Sequence, residues 1–179
     1  MASVIKIYEL SAGMAGTDKT SGTVRFKLAD DTTVDANDPI TIPSTGYKRS
    51  YSKQLRLYCD TAPDTQIDNL KAYSDGTSGF GTGIVTNGSN VGGTFSANAT
   101  PAIADGTDLF AKTSVDPFDI DAVHTAAVTA TGFFGDILKL QCVVASSATS
   151  GTKVAETLTY AYDEIWVNSS TYGVHYDSK

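Results

Sequence analysis

Between Ser50 and Asp60 the chain alternates apolar and polar positions: Leu55, Leu57 and Cys59 against Gln54, Arg56 and Tyr58. That period of two is the mark of a half-buried β-strand. The same pattern recurs in TVRFKLAD (23–30), where Val24, Phe26 and Leu28 face one way and Thr23, Arg25 and Lys27 the other. DILKLQCVVA (136–145) reads as a core strand. In KVAETLTYAY (153–162), Val154, Leu158, Tyr160 and Tyr162 share a side opposite Lys153, Thr157 and Thr159, and Ile165, Trp166 and Val167 extend it. Residues 4–9 alternate weakly, as a first strand or an extended arm. Residues 126–131 read as a further strand, joined to 136–145 by Gly132-Phe133-Phe134-Gly135.

Turn chemistry separates these runs. Asp30-Asp31, Ala62-Pro63-Asp64, Asp75-Gly76 and the Ser/Thr/Gly stretch 146–152 all break the pattern. Pro39 and Pro43 keep their region at a sheet edge or in a loop. Ile67, Leu70, Ala72 and Tyr73 form a short apolar run. No stretch longer than about ten residues keeps a helical period, so at most short helical turns are expected, near 64–70 or 120–128. Residues 76–108 are Gly-rich, and are read as short strands around Ile84-Val85 and Thr94–Ala97 or as a long irregular excursion facing a partner. The pattern predicts an all-β chain, one β-sandwich of jelly-roll or Ig-like type. It carries extended terminal arms and a long Gly-rich loop region. The expected boundaries are an arm or edge strand with a flexible loop over 1–22, the sandwich over 23–167 and a tail over 168–179.

Composition narrows the function. The chain has 179 residues and is 41% hydrophobic, enough to bury a core. Its 13 basic and 20 acidic residues give a net charge of −7, a poor balance for binding nucleic-acid phosphate. The most basic run, Lys48, Arg49, Lys53 and Arg56, reads as the solvated edge of a strand. No segment approaches the roughly 20 apolar residues of a membrane span. The start MASVIKIYEL lacks a basic n-region with a cleavage site, so synthesis and retention in a cytosol are expected. Cys59 and Cys142 are read as two reduced, buried side chains or as an inter-sheet disulfide.

Chemistry is sparse. His124 and His175 stand apart without a nucleophile in a recognisable elbow, so no enzyme is expected. The acids Asp116, Asp119 and Asp121 offer oxygens of the kind calcium takes, yet read as ordinary loop caps, as do Asp35 and Asp38. No Gly-Lys-Ser/Thr loop or Cys-x-x-Cys pair is present, and no cofactor is expected. Trp166 beside Asp163-Glu164, with Tyr160 and Tyr162, offers an aromatic set for a carbohydrate-binding alternative.

The run SYSKQLRLYCDTAPDTQIDNLKAYSDG (50–76), together with ETLTYAYDEIW (156–166), resembles small virion structural proteins of tailed bacteriophages. The resemblance implies a head-associated role as a capsid decoration (cement) protein, or else a tail or head-completion component. It implies no catalytic residues. Its implied partners are the major capsid protein and further copies of the chain, with a trimer favoured, at the capsid surface. The contact residues expected near the ends are Ile5, Ile7, Tyr8, Tyr172 and Tyr176.

Overall fold

The computed structural model describes residues 2–10, 16–93, 107–123, 126–167 and 174–178, the side chains of 166–178 excepted. Among the described residues, eleven strands form two antiparallel sheets. They are β1 (Val4–Leu10), β2 (Gly16–Asp18), β3 (Tyr47–Arg49), β4 (Lys53–Thr61), β5 (Gln66–Tyr73) and β6 (Ile84–Asn90). After these come β7 (Thr107–Asp108), β8 (Phe118–Asp119), β9 (Gly132–Ala145), β10 (Thr159–Val167) and β11 (Val174–Ser178). The larger sheet runs β2-β1-β4-β9-β6-β7, with β3 also on β9; the smaller runs β11-β10-β5-β8. Among the described residues the one helical element is a 3-10 turn, Leu109–Ala111, where the Asp108 side chain accepts the Phe110 N–H at 3.3 Å.

The alternation in β4 does what its sequence dictates. Leu55, Leu57 and Cys59 enter the main core with Phe134, Leu138 and Leu140 of β9 and Ile67, Leu70 and Ala72 of β5. One apolar cluster therefore draws on both sheets. Burying such side chains contributes roughly 1.5–3 kcal/mol each. A second cluster, Ile84, Cys142 and Val144, lies farther along β6 and β9, packed by Phe26, Ile40, Phe80 and Ala148.

Several expectations change. Residues 23–30 form no strand. Val24 and Phe26 do face the core, but Lys27, expected in solvent, is 1% exposed. Its ammonium turns to Asp31 and Asp35 instead. Residues 126–131 contribute a single bridge, in which Val128 and Ile67 exchange backbone hydrogen bonds of 2.8 and 3.0 Å. Gly132–Gly135 is no linker but the start of β9. Here β9 bulges: Leu55 faces Leu138, and two positions later Leu57 faces Phe134. Gly135, at φ +63°, makes the bulge possible, and an added Cβ there would stand 2.6 Å from Leu70 Cδ1 of the other sheet.

Among the described residues the helical turns expected near 64–70 and 120–128 do not appear, the first because Gln66–Tyr73 is β5. The last long strand begins at Thr159, later than expected, leaving Val154 72% exposed. At the C-terminus, Val174–Ser178 pairs with β10. Ile84–Asn90 is a full strand between β9 and β7; the strand expected at Thr94–Ala97 lies outside the described residues.

The cysteines are free. Cys59 faces Gly132 on β9, so Cys142 lies ten positions along the neighbouring strand, roughly 30 Å away at ~3.3 Å per residue. A disulfide needs Cα atoms no more than about 7 Å apart, which rules out the inter-sheet bridge in this fold.

Candidate interaction surface

Directly opposed residues on paired strands project to the same face. Ile7, Leu57 and Phe134 project to the core; the next positions along, Tyr8 with Arg56 and Tyr58 with Phe133, project to the other side of the larger sheet. There Tyr8, Tyr58 and Phe133 form a closed aromatic triad. Ring centroids lie 5.5 Å apart for Tyr8–Tyr58 and Tyr8–Phe133 and 5.0 Å for Tyr58–Phe133, with interplanar angles of 61°, 80° and 78°. These are edge-to-face contacts, the arrangement favoured by aromatic quadrupoles. Phe133 remains 36% exposed.

Arg56 fixes one side of the triad. Its guanidinium carbon lies 5.9 Å from the Phe133 ring centroid, while Nε donates to the Gly135 carbonyl at 3.2 Å and Nη1 to the Gly93 carbonyl at 3.0 Å. Burial draws its pKa down, and Asp136 opposes that. On the other side Gly16 of β2 leaves room for the Tyr8 ring: a Cβ there would meet Tyr8 Cδ1 at 2.6 Å. A Lys6–Asp60 ion pair of 3.1 Å stands at the rim. The result is an aromatic patch beside a hydrogen-bonded guanidinium, mounted on three hydrogen-bonded strands.

Of the contact residues expected from the sequence, Tyr8 belongs to this patch. Ile5 and Ile7 pack against the chain's own core. Tyr176 pairs with Ile165 through the backbone, and Tyr172 lies outside the described residues. Tyr58 and Phe133 carry no local signal; only the strand register brings them to Tyr8. The basic run divides: Lys48 and Arg49 lie partly exposed on β3, which pairs with β9 alone, whereas Lys53 is 1% and Arg56 9% exposed, so the second half is not a solvated edge.

The carbohydrate face expected around Tyr160 and Tyr162 is also revised. Both rings pack against the core, and burial pushes the Tyr160 hydroxyl's pKa well up. Glu164 is buried and accepts the Ser3 N–H at 2.7 Å. The Trp166 side chain lies outside the described residues, as does His124.

The acidic run is engaged locally. Asp116 pairs with Lys112 at 2.9 Å, Asp119 with Lys71 at 3.2 Å, and Asp121 accepts the Leu70 N–H at 2.9 Å. Burial and the neighbouring Asp119 raise the Asp121 pKa. Asp119 stays low against its own burial, through hydrogen bonds with Asp121 and Lys71. Among the described residues no three His, Cys, Asp or Glu side chains converge as a metal set, and no helix is long and apolar enough to cross a membrane. No protein-family model, curated protein or solved structure matches the chain.

Proposed function

We propose that this chain is a non-enzymatic virion structural protein of a tailed bacteriophage, a decoration protein that docks on the outer capsid lattice and stabilises the expanded head. The observation that carries the reading is the Tyr8–Tyr58–Phe133 triad with Arg56. Aromatic residues and arginine dominate the energetics of protein–protein contacts, and here they are preorganised on strands. The mutual edge-to-face geometry offers no run of coplanar rings for a sugar chain to stack on, which favours a protein partner over a glycan. The resemblance of residues 50–76 and 156–166 to phage virion proteins supplies the lattice as that partner.

The fold we infer is a β-sandwich in which the two sheets stack across the main core cluster. Connections β4–β5, β5–β6, β7–β8, β8–β9 and β9–β10 each pass between the sheets. Such repeated crossing suits a jelly-roll better than an Ig-like sandwich. Several copies, a trimer by preference, would multiply weak contacts with the major capsid protein through effective concentration.

Co-sedimentation with expanded and unexpanded capsids of the encoding phage tests the reading. Saturable binding to expanded shells at a fixed ratio, lost in Tyr58→Ser and Phe133→Ser, is the expected result. Binding to neither shell overturns decoration and points to a tail or head-completion role. Binding unaffected by both substitutions overturns the triad as the contact.

A further inference from the structure

Residues 23–42 cross the core-facing side of the larger sheet without forming a strand. Val24 and Phe26 pack on the main core, and Phe26 with Ile40 covers the second cluster, which contains Cys142. Few backbone bonds hold this stretch: Tyr51 N–H donates to the Lys27 carbonyl at 3.0 Å, and Leu28 N–H to the Asp38 carbonyl at 2.8 Å.

Side chains supply the rest: the Thr17 and Thr32 hydroxyls share a hydrogen bond of 3.0 Å, Lys48 donates to the Thr41 hydroxyl at 2.6 Å, and a charged cluster does the remainder. The Lys27 ammonium lies 2.6 Å from Asp31 Oδ1 and 3.3 Å from Asp35 Oδ1. From the sheet side, Lys53 of β4 donates to the Asp31 carbonyl, and Lys19, just after β2, donates to the Thr32 carbonyl at 2.8 Å. Both lysines also face Glu9 of β1, at 2.9 and 3.5 Å. Three ammoniums thus meet three carboxylates, and Lys27, Lys53 and Glu9 are almost wholly buried.

We propose that residues 23–42 form a releasable strap, latched by Lys27 to Asp31 and Asp35 and backed by Lys19, Lys53 and Glu9, which opens as a unit over Cys142 when the two aspartates are neutralised. Neutralisation leaves the buried Lys27 ammonium without either of its carboxylates, while Lys19 and Lys53 share Glu9, and an unpaired buried charge is strongly unfavourable. Opening restores water to Lys27. It breaks no rung of the β4–β9 or β5–β10 ladders, because the strap contributes none. Local opening of this kind has a free energy below that of global unfolding.

The cysteines report on it. Cys142 lies beneath the strap; Cys59 lies in the main core shared with β5. The experiment labels the full-length Asp31→Asn/Asp35→Asn variant and the unaltered chain with a thiol-reactive disulfide at neutral pH, with sites assigned by peptide mass. The expected result is labelling of Cys142 at least tenfold faster in the variant, with Cys59 still protected and far-ultraviolet circular dichroism unchanged. Equal gains at both cysteines, or none at Cys142, overturn the strap. Should the variant not fold, 4,4′-dithiodipyridine, which reacts in acid, is applied to the unaltered chain from pH 7 to pH 3. Cys142 reacting before Cys59 supports the latch, and simultaneous reaction overturns it.

Discussion

Tyr58 and Phe133 stand directly opposite each other on β4 and β9, their rings meeting edge to face with centroids 5.0 Å apart. The pair is the hinge of the aromatic triad, since Tyr8 touches both rings. An aromatic pair of this geometry contributes about 0.5–1.5 kcal/mol beyond its area burial. Phe133→Ala is therefore expected to lower unfolding free energy by roughly 1–3 kcal/mol, as it also removes half-buried ring surface. Tyr58→Ala should behave alike, and the double variant should cost less than the sum of the two. Urea denaturation of the four chains measures this coupling.

Gly135 of β9 leaves room for the Leu70 side chain of β5 in the other sheet. An alanine Cβ at position 135 would overlap Leu70 Cδ1, and φ +63° is unfavourable for alanine. Gly135→Ala should destabilise by about 2–4 kcal/mol, combining overpacking with backbone strain. Adding Leu70→Val relieves the overlap but not the strain. Partial recovery in a thermal melt is the expected outcome, and full recovery would contradict the backbone part of the account.

How much of this was legible in the sequence depends on how local each cause is. The face of β4 was legible because Leu55, Leu57 and Cys59 differ in polarity from their neighbours at every step. The same rule misplaced 23–30, whose period of two is equally clean. What it cannot encode is a partner strand, and Lys27 is buried by Asp31 and Asp35 rather than paired in a ladder. Gly132 and Gly135 read as turn signals, yet Gly135 marks a bulge inside one strand. Of the triad, the sequence singles out Tyr8 only by its place near the end, whereas Tyr58 and Phe133 join it through long-range register.

Asn69 occupies a left-handed conformation, φ +54°, in the middle of β5, opposite the register shift between Ala161 and Asp163 in β10. Its side-chain amide donates to Asp163 Oδ2 at 2.8 Å. Asparagine tolerates this backbone far better than β-branched residues do. Asn69→Val should cost roughly 1–3 kcal/mol, and Asn69→Gly about 0.5 kcal/mol or less, since glycine gains the backbone while losing one exposed hydrogen bond. A stability order of Val above Gly in chemical denaturation would contradict the bulge as the source of strain.

The latch sets a direction for pH dependence. The hydrogen bond from Lys27 holds the Asp31 pKa below its ordinary value, and the Asn37 N–H, followed by Lys27, does the same for Asp35. A carboxylate whose folded pKa is depressed stabilises the protein above its unfolded value, near 4, and that contribution is lost as pH falls through the folded value. Lys27 is shifted the other way: its hydrogen bond to Asp31 raises its pKa, so its contribution is full below the ordinary lysine value and fades only in strong alkali. Thermal melts should therefore show a broad plateau at neutral pH and a fall below about pH 4. In Asp31→Asn/Asp35→Asn the acid fall should be shallower and the neutral plateau lower. An acid limb as steep as that of the unaltered chain would place the responsible carboxylates elsewhere.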